Sequence, residues 1–256
     1  MRRVIKIGTS TLMDVQGQVD RDRLVSISRG VKQLMQDNQR VVLVVSGAVA
    51  LGRTLPQSRH LSRSALASLG QTRLMAYYQD ALLPYPSAEM LLGSDVEETG
   101  RATQLTSTLD DLTEAGIVPL INGNDATECH VGDNDVLAAR VARVWGADQL
   151  VILSDVDGLY SDNPGTNPKA RRIARLAWVT EHHLSQFGPG NPGPLGSGGI
   201  VSKLAAAALA QEFGIETILT SGRHPEVWDW LRTGRYHLAT RFEARKEFCH
   251  ADGTIS

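Results

Sequence analysis

The sequence predicts an α/β protein, a three-layer αβα sandwich with a mostly parallel central sheet. Three observations carry this. Short runs rich in Val, Ile and Leu recur along the chain, and the segments between them space their apolar residues as helices do. The runs are apolar at consecutive positions, as in parallel strands covered on both faces. With 256 residues, the chain is long enough for one large domain with a full core.

The elements follow in order. Val4 to Ile7 reads as the first buried strand, and Leu24, Ile27, Val31, Leu34 and Met35 then recur at helical spacing. Val41 to Val45 is an unbroken run of Val and Leu, typical of a central strand. A helix is expected from about Ser62 to Leu83 and a short strand from Ala88 to Leu92. Leu105, Leu109 and Leu112 line one face of the next helix, and Gly116 stops it. Ile117 to Ile121 is a strand, Leu137, Val141 and Val144 mark a helix, and Leu150 to Leu153 is a strand that Gly158 soon follows as a breaker. Ser202 to Phe213 is alanine-rich and helical, with Gly214 as its stop, and Ile215 to Leu219 closes the series as a strand. Segment 187–199, with Gly188-Pro189-Gly190-Asn191-Pro192-Gly193-Pro194 inside it, suits neither helix nor strand. It reads either as a flap over a nucleotide or as a plain surface loop.

Composition narrows the function classes. A formal net charge of −2 and a pI near 6.4 speak against a nucleic-acid or anionic-lipid partner. Cys129 and Cys249 lack CxxC spacing, so neither a disulfide framework nor a zinc site is expected, and a reducing cytoplasm fits best. Met1-Arg2-Arg3 runs straight into the first strand, so neither a signal peptide nor a membrane helix is expected.

Four Gly- and Asp-rich marks sit just after apolar runs: Lys6-Ile7-Gly8-Thr9-Ser10, Ser46-Gly47-Ala48-Val49, Gly132-Asp133-Asn134-Asp135 and the stretch from Gly196 to Lys203. In parallel sheets, ligands gather beyond the carboxyl ends of the strands. Glycines that free backbone N–H groups, together with lysines, suit a polyphosphate. Each mark alone is weak. Lys203 is not part of a Walker A loop, no Gly-x-Gly-x-x-Gly follows the first strand, and no Gly-x-Ser-x-Gly elbow surrounds Ser46. Asp155-Val156-Asp157-Gly158 places its glycine too early for an EF-hand. One of Asp133, Asn134 and Asp135 serves as a helix N-cap, but the three together, with Asn122, Asn124 and Asp125 upstream, exceed capping needs. The histidines are scattered, none is assigned a role, and His182-His183 reads as solvated helix surface.

Jointly the marks carry a resemblance. Ile5-Lys6-Ile7-Gly8-Thr9-Ser10, Val45-Ser46-Gly47-Ala48, Pro119-Leu120-Ile121-Asn122-Gly123-Asn124-Asp125, Val131-Gly132-Asp133-Asn134-Asp135, Asp155-Val156-Asp157-Gly158-Leu159-Tyr160 and Gly196-Ser197-Gly198-Gly199-Ile200 occur in the order found in the amino acid kinase family. The whole chain resembles that family, and most closely its members that phosphorylate glutamate. The resemblance implies the amino acid kinase (carbamate kinase-like) fold as a single domain over 1–256. Its substrate-binding half spans about 1–146 and its nucleotide-binding half about 147–256. The RNA-binding-like PUA domain of many such members is not expected in this chain.

The same resemblance implies site roles. Lys6 and Lys203 would flank the transferring phosphoryl group, and Asp135 would hold the two lysines. Ser46, Asp125 and Asn134 would bind glutamate. Lys6, Gly8, Ser154, Asp155, Ser197, Gly198, Gly199, Ile200, Val201, Ser202 and Lys203 would contact ATP. Mg2+ would be carried by ATP and not by protein side chains. A homo-oligomer, dimer or tetramer, and hand-over of the product to a reductase of the acyl phosphate are also implied, within proline biosynthesis. The family usually has Asn-Glu-Asn-Asp where this chain has Asn122-Gly123-Asn124-Asp125. Two alternatives stand beside this reading: a kinase for another amino acid or small acid, and a catalytically inactive regulatory or binding protein.

Overall fold

The computed structural model describes residues 1–128, 133–162, 164, 167–186 and 199–244. Cys129, Gly132, Ser197, Gly198, Cys249 and nearly all of the Gly/Pro-rich segment lie outside them.

The elements run β1 (Arg2–Ile7), α1 (Thr9–Leu12), α2 (Arg21–Gln36), β2 (Arg40–Val45), α3 (Ala48–Arg53), a 3₁₀ turn (Pro56–His60), α4 (Arg63–Leu82), β3 (Ser87–Leu92), α5 (Thr99–Glu114) and β4 (Val118–Gly123). They continue with α6 (Asn134–Trp145), β5 (Gln149–Ser154), β6 (Leu159–Tyr160), β7 (Arg172–Ile173), β8 (Arg175–Leu176), α7 (Glu181–Gln186), α8 (Ile200–Glu212), β9 (Glu216–Ser221), α9 (Val227–Thr233) and β10 (Ala239–Phe242). Each expected strand and helix is present, within a few residues of its expected bounds. The expectation that the strand after Phe213 ends the series is corrected: α9 and β10 follow it.

Eight strands form one sheet in the order β3-β4-β2-β1-β5-β9-β10-β8. Neighbours are parallel except β9 with β10. A side-chain period of two explains the layers. On β1, Ile5 and Ile7 face a core completed by α2, α4 and α9, with Leu24, Ile27, Val31, Tyr78 and Trp228 among its residues. Val4 faces the opposite core, completed by α5, α6 and α8. Lys6 shares the parity of Val4, and lies in register with Val44 of β2 and Ile152 of β5. Its side chain is therefore set on the α6/α8 side.

Those two helices pack together, and Ala138, Ala139 and Ala142 of α6 and Ala206, Ala207 and Ala210 of α8 are buried in their shared core. Small side chains let the axes approach. No helix among the described residues is long and apolar enough to cross a membrane.

On the other face α3 and α4 pack backbone to backbone. A Cβ added at Gly70 would stand 1.8 Å from the backbone oxygen of Ala48. An alanine here would gain about 1 kcal/mol of helix propensity, yet it would collide with backbone that cannot rotate away. Gly70→Ala is therefore expected to lower stability by about 2 kcal/mol. Gly100→Ala, in α5 with nothing within 4 Å, is expected to be neutral or raise it by up to about 1 kcal/mol. Urea unfolding of both variants checks the contrast.

Candidate active site

Three elements meet at the carboxyl edge of the sheet. Lys6 is the penultimate residue of β1, Asp135 lies in the first turn of α6, and Lys203 lies in the first turn of α8. Lys6 Nζ stands 2.6 Å from Asp135 Oδ1, an ion pair. Lys203 Nζ donates to Asp135 Oδ2 at 3.0 Å. All three are buried: 5% of Lys6, none of Asp135 and 6% of Lys203 is exposed. Burial alone would push the Asp135 carboxyl up, but the two ammoniums outweigh it and hold the pKa below the ordinary value. Two ammoniums thus converge on one buried carboxylate, an arrangement that fixes where both cations stand.

Asp135 is not the cap of α6. That role falls to Asp133, whose carboxylate accepts from the Asp135 N–H. Asn134, next in the chain, points the other way and ties α6 to β2 and β4. Its Nδ2 lies 3.0 Å from Val45 O, 2.8 Å from Ser46 Oγ and 2.8 Å from Asn122 Oδ1. Gly47 makes the turn after Ser46 with φ +122°, a conformation that side chains rarely adopt.

Next to this network is a recess of about 290 Å³, lined by Gln71, Glu89, Asn122, Gly123 and Asp125 among others. That is close to the lower end of small-ligand sites, about 300 Å³. Asp125 is half-buried on its rim, with Arg63 at 3.4 Å. Ser46 and Asn134 thus meet through one hydrogen bond, and Asn122, which Asn134 also reaches, shares the lining of the recess with Asp125.

On the other side stand Ser154 at the end of β5, Asp155 after it, and Gly199 to Lys203 at the start of α8. Ser154 is buried and donates to Asp155 Oδ1 at 3.0 Å; Asp155 itself is exposed. Helix α8 starts at Ile200, two residues earlier than expected, so its first N–H groups and the Lys203 ammonium share one end. Ser197 and Gly198 lie outside the described residues.

Gly8 requires a correction. Its N–H is not open to an anion but donates to Leu153 O at 3.1 Å. A Cβ there would meet Leu153 O at 3.4 Å and Lys6 Nζ at 3.7 Å. Those are ordinary contact distances, so the Gly8 backbone already lies against the Lys6 ammonium. Tyr160 donates to Asp157 at 3.0 Å, which makes Asp157 part of a turn. Sequence reasoning missed Gln71 and Glu89, which carry no local signal: their partners are 51 and 18 residues away in the chain.

The depressed Asp135 pKa sets a pH dependence. Its stabilising contribution is complete above the ordinary value of 3.8 and is lost as pH falls through the lower folded value. Asp135→Asn leaves two buried ammoniums without their anion, and is expected to cost about 3 to 5 kcal/mol at pH 7. Urea unfolding should show that gap constant above about pH 5 and narrowing below about pH 4.

The chain matches the amino acid kinase family over residues 1–221. It is 40% identical to the glutamate 5-kinase of Thermus thermophilus, covering 96% of this chain and 68% of that one. With the glutamate 5-kinase of Geobacter sulfurreducens it shares 37%, over 96% and 68%. With that of Dictyoglomus thermophilum it shares 36%, over 94% and 67%. The crystal structure of UMP kinase from Bacillus anthracis superposes with a TM-score of 0.63 over 95% of this chain and 96% of that one, at 16% identity, a likeness of fold. The parallel sheet, the buried lysine pair on one aspartate at its carboxyl edge and these matches lead to one conclusion: the chain belongs to the amino acid kinase family.

Proposed function

We propose that this protein is an ATP-dependent kinase of the side-chain carboxylate of glutamate, making glutamyl 5-phosphate for proline biosynthesis. The observation that carries the reading is the buried Lys6–Asp135–Lys203 centre, two ammoniums held on one carboxylate at the carboxyl edge of the sheet, beside an amino-acid-sized recess. The identity to glutamate 5-kinases over nearly the whole chain supports the choice of acceptor.

The chemistry fits these residues. The acceptor carboxylate, with a pKa of about 4.3, is already ionised at pH 7, so no general base is required. One of its oxygens attacks the γ-phosphorus, the bond to the bridging oxygen breaks, and ADP leaves with that electron pair. Catalysis then rests on positioning and on neutralising charge in a loose transition state. Lys6 and Lys203 supply the positive charge, and Asp135 fixes where their ammoniums stand. Asn134 and Ser46 orient the amino acid, and Asp125 pairs with its ammonium in place of Arg63. Gly8, Ser154, Asp155 and the stretch from Ser197 to Lys203 hold the nucleotide. Asp135, engaged by both lysines, is not a metal ligand, so Mg2+ would ride on the nucleotide phosphates. Bound there it would supply further neutralisation of phosphoryl charge. The substrate half at about 1–146 and nucleotide half at about 147–256 meet at β1 and β5. A cytoplasmic homo-oligomer that hands its labile product to a reductase completes the reading.

Two experiments test this. With ATP, Mg2+ and hydroxylamine, glutamate is expected to give hydroxamate, and aspartate to do so about 100-fold less well. One methylene less leaves the nucleophile about 1.5 Å short. Hydroxamate from another acid but not from glutamate would make the acceptor wrong, and none from any acid would favour the regulatory alternative. In the second, Lys6→Ala and Lys203→Ala are each expected to lower kcat about 100-fold or more, with folding checked by circular dichroism. Near-normal turnover in either folded variant would sink the two-lysine mechanism.

A further inference from the structure

A chain of side-chain amides crosses the carboxyl edge of the sheet from one helical layer to the other. It starts at Glu89 on β3, whose Oε1 accepts from Gln71 Nε2 at 2.6 Å. Gln71, on α4, accepts in turn from Asn122 Nδ2 at 2.8 Å. Asn122, on β4, accepts on its Oδ1 from the Gly123 N–H at 2.9 Å and from Asn134 Nδ2 at 2.8 Å. Asn134 opens α6 and also reaches Val45 O and Ser46 Oγ.

The chain has a direction. The Glu89 carboxylate only accepts, and the Gly123 N–H that meets Asn122 Oδ1 only donates. Gln71, Asn122 and Asn134 therefore each turn the NH2 toward Glu89 and the oxygen away from it. The two Asn134 amide hydrogens are shared among Val45 O, Ser46 Oγ and Asn122 Oδ1, which leaves its carbonyl oxygen on the opposite edge of the amide. Among the described residues, Gln71 is the one side chain that serves both Asn122 and Glu89, accepting from the first and donating to the second. Gln71 and Asn122 are buried, with 8% and 5% exposed, so a lost partner is not replaced freely by water.

We propose that Gln71 is a positioning residue of the amino-acid site, coupling Asn122 and through it the Asn134 amide to Glu89 at the rim of the recess. The proposal rests on the reading of Asn134 and Ser46 as substrate-binding residues. Without the Gln71 amide, the Asn122 NH2 is one buried donor short. Asn122 then turns to recover a partner and withdraws the oxygen that holds Asn134. The effect belongs to amino-acid binding and not to the lysine centre, because Asp135 is held by different partners.

Steady-state KM values for glutamate and for ATP test this in four proteins: wild type, Gln71→Leu, Gln71→Glu and the double variant Gln71→Glu/Glu89→Gln. Gln71→Leu is expected to raise the glutamate KM about tenfold or more, with the ATP KM within about twofold. Gln71→Glu keeps an acceptor for Asn122 but sets two carboxylates against each other, and should also raise the glutamate KM. The double variant restores the pairing, since the amide at position 89 can donate to the carboxylate at position 71. It should return the glutamate KM to within about threefold of wild type. A double variant no better than Gln71→Glu alone, or an ATP KM that rises in step with the glutamate KM, overturns the proposal. A wild-type protein that forms no glutamyl hydroxamate overturns the functional reading instead.

Discussion

One buried carboxylate holds this site together. Asp135 lies between the ammoniums of Lys6 and Lys203, and the three belong to β1, α6 and α8. None tolerates burial alone. An isolated lysine in this position would be an uncompensated charge in a low-dielectric interior, and Asp135 without its cations would be the same with opposite sign. The pairing therefore fixes where the first turn of each helix stands against the end of the first strand. It also sets two ammoniums side by side at the sheet edge.

The packing around the centre serves the same geometry. Alanines on α6 and α8 let these helices lie close, so that Asp135 and Lys203, near their N-termini, come within hydrogen-bond distance. Strand parity turns Lys6 to the same side. Asp133 and Asn134 divide the remaining work at the start of α6: the first caps the helix, and the second reaches across to β2 and β4. Two successive residues thus link a phosphate-type centre to an amide-lined recess. The covalent chain itself sets the spacing between the two halves of the site.

Sequence alone determined the layers and the chemistry-bearing positions. The apolar runs marked the strands because both faces of a parallel sheet are covered, and the helical spacing between them left few alternatives. Asp135, Lys6 and Lys203 stood out only jointly, through the resemblance of the ordered motifs to the amino acid kinase family, because each Gly- and Asp-rich mark alone is weak. Elements after β9 were not legible. Helix α9 has only the seven residues Val227–Thr233, too few for a periodic pattern, and it is held by burying Trp228 and Leu231 against the first core. Gly8 was legible as a glycine that matters but not for what it does, since the partner of its N–H, Leu153 O, belongs to a strand far along the chain. Tertiary structure alone decided that Gln71, Glu89, Asn122 and Asn134 form one directed chain of amides. Each is an ordinary polar residue in its own segment, and hydrogen-bond direction exists only once the Glu89 carboxylate and the Gly123 N–H, from separate strands, fix which way the amides between them face.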